Sequence, residues 1–258
     1  DAILASGKNA DDLDLIICST VLGDYVTPSL ACLMQKEIGA TCPAFDLNAA
    51  CSGFLYALNV AAAFFDSGRA KNILIVSAEM MSKHLDWTDR ETCVLFGDGA
   101  GAVVLTKGNG LRAIKITAQG DDKLLTIGSN GGASPFSTLE KKPTYLHMLG
   151  SEVFKFAVTS MCRDITAVLG EAGLETGQIT KVIPHQANQR IIKSACDRLS
   201  LREDQVVSRI DRYGNTSSAS IPILLSELVE NGELHKGDLV VLSAFGGGLT
   251  TGACVIEI

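Results

Sequence analysis

The order of patterns between Leu13 and Leu105 recurs between Ile179 and Ile256, so whatever core the first segment buries, the second must bury again. Ile17 of LDLIICST falls on Ile183 of KVIPHQAN, Gly7 on Gly173, and Ser77 of NILIVSAE on Ser243 of LVVLSAFG, a constant step of 166 residues. Each copy reads as a buried strand, a loop, a helix, a second strand, a second helix and two final strands. The strands are continuous apolar runs (NILIVSA, GAVVLT, DLVVLSA, ACVIEI) rather than alternating ones, as expected for sheets covered on both faces. Two such units packed together predict a layered α/β protein.

The repeat divides the chain into an N-terminal half, residues 1–110, and a C-terminal half, residues 111–258. Between them, from about Gly120 to Gly150, GSNGGASP and Pro143 break the periodicity and predict a connecting loop. A loop of that length is usually functional, so a wall of a site or a contact with another subunit is expected, with a plain surface linker as the competing reading. The helix patterned from Glu152 to Glu171 falls on a first-copy helix of which only Ala2 to Ser6 is present, and the strand LRAIKITAQ has no first-copy counterpart. By the logic of the repeat, a natural form is expected to carry about 50 further N-terminal residues.

Composition excludes several classes. The net charge of −7 argues against a general nucleic-acid binder, although Arg190, Lys193, Arg198 and Arg202 fall at steps that could gather cations on one side of a helix. No apolar run reaches 18 residues, and Asp1 to Asp12 has neither the basic flank nor the apolar stretch of a signal peptide, so no membrane partner is expected. The eight cysteines form no CxxC pair and have no histidine at ligand spacing. A cytoplasmic protein without a metal is the expectation.

Cys51 lies where an apolar strand ending near Leu47 gives way to small residues and then to a long apolar helix. At a helix N-terminus, unpaired amides and the dipole stabilise a thiolate and can lower a cysteine pKa. A buried, inert thiol is the competing reading. The second copy adds context: its corresponding strand ends in Pro184-His185-Gln186-Ala187-Asn188, and its corresponding junction is Gly214-Asn215-Thr216-Ser217-Ser218. Packing of the two copies would bring Cys51, His185 and Asn215, all at strand ends, toward one crevice. Phe245-Gly246-Gly247-Gly248 follows a strand, and its glycines let backbone approach a ligand, so the amide of Gly247 could join that of Cys51 as an oxyanion hole. FGDGAGA at Phe96–Ala102 fails the dinucleotide context and is expected to be a tight turn beneath the site.

AACSGF, DWTDRETCVLFGDGAGA, PHQANQRII, RYGNTSSASIP and AFGGG, in this order from Ala2 to Ile258, resemble β-ketoacyl-acyl carrier protein synthase III. The resemblance implies the thiolase fold, a layered α-β-α-β-α arrangement, and a Cys-His-Asn triad on Cys51, His185 and Asn215. Members start type II fatty acid synthesis by condensing an acyl-CoA primer with malonyl-acyl carrier protein, through an acyl-cysteine and without a cofactor, as cytoplasmic homodimers. It further implies CoA contacts at Arg90, Trp87, Ser151, Ala187, Asn188 and Arg190, and carrier-protein docking at Lys155, Arg190 and Arg198, with Asp197 standing where a lysine is common. Phe245 would wall the site. Thr27 stands where acetyl-preferring relatives have a phenylalanine that closes the acyl pocket across the dimer, so longer or branched primers are expected. Known members carry about sixty more N-terminal residues, in keeping with the repeat. Thiolases would need a second catalytic cysteine, but Cys254 sits in an apolar strand pattern, and a hydroxymethylglutaryl-CoA synthase would need a general-base glutamate. A polyketide starter enzyme with the same triad, and an inactive dimerisation or carrier-binding fragment, remain as alternatives.

Overall fold

The computed structural model describes residues 1–129, 136 and 144–258. After a single turn of helix (α1, Ala2–Ala5), the first half runs β1 (Leu15–Ser19), α2 (Leu30–Ile38), β2 (Ala44–Leu47), α3 (Gly53–Asp66), β3 (Asn72–Met80) and β4 (Asp98–Thr106). Then come β5 (Leu111–Asp121), β6 (Leu125–Ile127), β7 (Leu146–Met148), α4 (Gly150–Ala172), β8 (Lys181–Pro184), α5 (Gln189–Arg198), α6 (Ile210–Tyr213), α7 (Ser220–Glu230), β9 (Leu239–Gly246) and β10 (Gly248–Glu257). The strands form two four-stranded sheets, in the orders β2-β1-β3-β4 and β5-β10-β9-β8. In the first, β2, β1 and β3 run parallel and β4 antiparallel; in the second, β8 at the edge is parallel to β9, and β10 is antiparallel to both β9 and β5.

Burial follows directly from the unbroken apolar runs. Leu15, Ile17, Ile73 and Ile75 of the first sheet and Ile183, Val240 and Leu242 of the second pack inward on α3 and α7, which lie side by side between the sheets. The intervening residues face the other way. Ile16, Cys18 and Leu74 pack with Ala31 of α2, while Val182, Val241 and Val255 pack with Ile165, Val168 and Leu169 of α4. The layers are thus α, β, α, β, α, as the duplication predicts. Phe54 and Leu55 of α3 are at most 1% exposed, and side chains of this kind each contribute about 1.5–3 kcal/mol on burial. Gly7 and Gly173 end equivalent helices at the same left-handed φ of 67°, one repeat apart. Among the described residues, no helix is long and apolar enough to cross a membrane.

Three expectations need correction. The second copy has no full counterpart of β2; a single bridge between Val182 and Val206 takes its place. The stretch expected to be a structureless connector contains the antiparallel ribbon β6–β7, whose Leu125, Ile127, Leu146 and Met148 pack on Met81 and Leu85. Residues 130–135 and 137–143 of that stretch lie outside the described residues. FGDGAGA is not a tight turn but the start of β4. Its glycines answer to close packing: a Cβ on Gly101 would stand 2.7 Å from the Ile223 nitrogen and 2.9 Å from the Pro222 carbonyl carbon of α7, and one on Gly97 would stand 2.4 Å from the Tyr213 oxygen.

Gly101→Ala should therefore cost about 1–3 kcal/mol, because the new methyl meets backbone that cannot turn aside. Gly120→Ala, where nothing lies within 4 Å of the added Cβ, should change stability by no more than about 0.5 kcal/mol. Urea unfolding of the two variants against the parent chain measures both; equal costs would show that α7 does not press on β4.

Candidate active site

Cys51 sits in a 3-10 turn, Ala50–Ser52, that joins β2 to α3. The turn is strained, with Ala50 at φ 47°, and it is held from the other half of the molecule. Thr250 Oγ1 of β10 donates to the Ala49 oxygen at 2.8 Å, and Ser52 Oγ donates to the Thr250 oxygen at 3.2 Å. The second half repeats the device at Ser217–Ala219, with Ser217 at φ 51°. Here the repeat steps by 167 rather than 166, so the counterpart of Cys51 is Ser218, while Ser217 instead meets the Cys51 sulfur directly. Ser217 Oγ donates to Cys51 Sγ at 3.4 Å.

His185 follows β8 and is fixed by its backbone, its amide donating to the Ser243 oxygen at 2.7 Å. Its Nδ1 lies 2.8 Å from Ser220 Oγ, the first residue of α7. That hydroxyl oxygen already accepts from the Gln186 amide at 3.4 Å. Donation of its hydrogen to Nδ1 is the arrangement that places the ring proton on Nε2. Phe245 meets the imidazole edge-on, with ring centroids 5.5 Å apart. Burial pushes the His185 pKa down to about 3, so the ring is neutral.

Asn215 is the point where the halves interlock. Its backbone pairs with FGDGAGA, the Asn215 amide donating to the Leu95 oxygen and the Gly97 amide to the Asn215 oxygen, each at 2.9 Å. Its side-chain Oδ1 accepts from the Ser217 amide at 2.9 Å. Because an amide N–H can face only the oxygen, Nδ2 must point the other way, as a donor.

Cys51, His185, Asn215 and Phe245 line one cavity of about 610 Å3, together with Ser151, Lys155, Ala187, Asn188 and Arg190. Arg190 stacks over Phe154 at 5.9 Å, and Lys155 is paired with Glu152 at 2.9 Å. Arg198 is exposed in the last turn of α5. Trp87 is 66% exposed; neither it nor Arg90 lines this cavity, although their neighbour Glu91 does. A second cavity of about 430 Å3 opens on the other side of Cys51 and Ala50, bounded by Phe96, Leu125, Ile127 and Gly247. Thr27, on an exposed loop, lines neither. The glycine corner after β9 abuts the nucleophile turn: a Cβ on Gly246 would stand 2.6 Å from the Cys51 nitrogen. Ser217 and Ser220 were not singled out from sequence. Their position two and five residues beyond Asn215 was the available signal.

One electrostatic expectation is overturned. The helix junction does not leave Cys51 with a lowered pKa; burial pushes its thiol up to about 12, against the opposing pull of the Ser217 hydroxyl. The side chain is 8% exposed, and loss of water outweighs the helix terminus. The resting site is a neutral thiol beside two neutral donors. Such a set can accept an acyl group on sulfur and hold a developing oxyanion, and it needs no ionised base to do so.

A family model described as 3-oxoacyl-acyl-carrier-protein (ACP) synthase III matches residues 45–121, and a second, for the C-terminal part of that family, matches residues 169–258. The chain is similar to the β-ketoacyl-acyl-carrier-protein synthase III of Xanthomonas campestris, at 46% identity over 259 residues covering 99% of this chain and 80% of that protein. It superposes on the crystal structure of 3-oxoacyl-acyl-carrier-protein synthase III from Aquifex aeolicus with a TM-score of 0.92 at 42% identity, covering 100% of this chain and 81% of that one. The priming β-ketosynthase of the R1128 polyketide biosynthetic pathway follows at a TM-score of 0.90 and 35% identity, covering 100% of this chain and 78% of that one.

Neutral burial of His185 couples folding to pH. A histidine free in solution titrates near 6.5 and the folded His185 at about 3, so between these the unfolded chain binds the extra proton. The stability that the neutral ring confers is complete above the unfolded value and is lost as pH falls toward the folded one. His185→Gln should flatten the stability curve between roughly pH 5 and 6.5 by up to about 1.4 kcal/mol per pH unit. Urea unfolding across that range tests it, and an unchanged slope would mean that the folded imidazole is not neutral.

Proposed function

The chain belongs to the 3-oxoacyl-acyl-carrier-protein synthase III family of thiolase-fold condensing enzymes, and from that premise we propose that Cys51, His185 and Asn215 carry out a decarboxylative condensation of an acyl-CoA primer with malonyl-acyl carrier protein. The observation that carries this reading is the paired orientation of two donors. Ser220 at Nδ1 leaves the His185 Nε2–H free, and the Ser217 amide at Oδ1 leaves the Asn215 amide group free, in a cavity shared with Cys51.

In the first half-reaction Cys51 sulfur forms a bond to the acyl carbon, the C–S bond to CoA breaks, and the thiol proton leaves on CoA sulfur. The amides of Cys51 and Gly247 are proposed to receive the carbonyl oxygen, supported by the contact of the glycine corner with the nucleophile turn. In the second, malonyl thioester places its carbonyl oxygen between His185 Nε2–H and Asn215 Nδ2–H. Loss of CO2 leaves an enolate on that oxygen, its carbon attacks the acyl-enzyme, and the Cys51–acyl bond breaks. The thiolate takes a proton from water to restore the thiol. Decarboxylation supplies the carbanion, so no cofactor enters a step. The Phe245 ring disfavours a carboxylate beside it and so favours its departure.

Ser151, Ala187, Asn188 and Arg190 are proposed to line the path of the CoA and carrier arms, with Arg90 and Trp87 at its rim. Lys155, Arg190 and Arg198 form the cationic face offered to an acidic carrier protein. The enzyme is proposed to act as a cytoplasmic homodimer, its halves 1–110 and 111–258. Support for the dimer comes from the unpaired edge of β2 with Phe45 half-exposed, and from exposed Leu22, Tyr25 and Val26 on the loop that carries Thr27. A smaller residue at Thr27 supports primers longer than acetyl or branched. The likeness to the R1128 enzyme supports a second reading of the pathway alone, as a polyketide starter with the same chemistry.

Incubation with radiolabelled acyl-CoA should leave label on the parent chain and none on Cys51→Ala. His185→Ala and Asn215→Ala should acylate but lose condensation by about 10²–10³-fold each. Label retained by Cys51→Ala would end the reading.

A further inference from the structure

Ser217 is fully buried, its hydroxyl donates to the Cys51 sulfur, and within its own turn its amide is held by Asn215 Oδ1. A non-glycine residue at φ 51° is strained and persists only when its surroundings over-determine it. Further surroundings that do so come from the opposite half. Glu79, near the end of β3 and 6% exposed, takes the Ser218 hydroxyl on Oε1 at 2.6 Å and the Ser218 amide on the same atom at 3.3 Å. Its Oε2 takes the Val21 amide at 2.9 Å. A buried carboxylate is costly unless its oxygens are satisfied, and these are satisfied by segments that flank the two turns. Burial raises the Glu79 pKa while hydrogen bonds from Ser218, Val21 and the Ser217 hydroxyl pull it back, so Glu79 also faces the Ser217 side chain.

We propose that Ser217 is a further catalytic residue, the hydrogen-bond donor to the Cys51 sulfur as it becomes thiolate during acyl transfer, and that Glu79 is the positioning residue that holds it there through Ser218. The proposal rests on Cys51 being the acyl acceptor. A thiol with its pKa pushed up by burial needs a local donor when its proton leaves, and among the described residues the hydrogen bond to the Cys51 sulfur comes from Ser217, whereas His185 and Asn215 are proposed for the malonyl oxygen of the later half-reaction. A hydroxyl of the opposite half, 3.4 Å away, supplies it. The link also makes acylation depend on correct docking of the halves, since Glu79 and Ser217 sit on different ones.

The test follows alkylation of Cys51 by iodoacetamide against pH, read at that residue by peptide mass spectrometry, alongside single-turnover acylation by acyl-CoA. Ser217→Ala keeps the Cβ and removes only the donor. It should slow both rates about tenfold to a hundredfold and displace the alkylation profile to higher pH by one to two units. Glu79→Gln should slow the same two rates, and in the Ser217→Ala background it should add less than about twofold, because it acts through that hydroxyl. Ser218→Ala reads the same link should Glu79→Gln lower the melting temperature below that of the assay. Parent-like rates in Ser217→Ala overturn the donor role; effects of Glu79→Gln and Ser217→Ala that multiply overturn the positioning role. Alkylation requires no acyl-CoA, so a failure of Cys51 to acylate in the parent chain would be seen separately.

Discussion

Two strained turns, Ala50–Ser52 from one half and Ser217–Ala219 from the other, meet at the Cys51 sulfur, and the rest of the structure is arranged around that meeting. Each turn opens a central helix, α3 or α7, so the apolar packing of those helices between the sheets fixes where the turns stand. The burial of Phe54, Leu55, Ile221 and Leu224 is therefore also the positioning of the site. Polar contacts then set the fine geometry: Thr250 on Ala49, Glu79 on Ser218, and the Asn215 backbone on Leu95 and Gly97. Each of these ties one half to the other. A loosening of the interface between halves would separate Cys51 from His185 and Asn215.

The same burial decides the chemistry. In low dielectric an ionised thiolate–imidazolium pair would be costly, and the structure keeps both groups neutral, the thiol pushed up and the imidazole down. A neutral Nε2–H and a side-chain amide remain donors throughout the pH range in which the protein is folded. That suits a reaction whose carbanion comes from loss of CO2, because stabilising the enolate oxygen needs donors and not a strong base. What neutrality costs is nucleophilicity at sulfur, and it is there that a further donor has an effect.

The layered fold was legible because its strands are unbroken apolar runs whose two faces serve two different layers: Ile16 and Ile17 point into different cores, and both are fully buried. Cys51, His185 and Asn215 could be singled out because they fall at related junctions of the duplication, although Asn215, expected at a strand end, follows the short helix α6 instead. What was not legible depends on distant partners. Glycines in FGDGAGA read as a turn, since nothing local announces that α7 will press on Gly101. The three-residue strands β6 and β7 are too short to show a period. The junction at Cys51 was visible, but the depth of its burial, which sets the pKa, is a property of both halves together.

The single-residue slip from 166 to 167 explains how identical frames hold different chemistry. Ser19 at the end of β1 matches His185 after β8, while Gly53 at the start of α3 matches Ser220 at the start of α7. In the first half the Ser19 hydroxyl fills the space beside Gly53 so closely that a Cβ there would stand 1.9 Å from it. In the second, the larger ring of His185 is met by the Ser220 hydroxyl, which fixes its tautomer. One contact between strand end and helix start thus serves closure in one half and proton placement in the other. The slip also puts Ser218 where the nucleophile would have been, freeing that position to brace Glu79 and leaving Ser217 to face the sulfur. Had the step stayed at 166, Ser217 would occupy the counterpart of the Cys51 position within its own turn, and the residue facing the sulfur across the interface would be a different one.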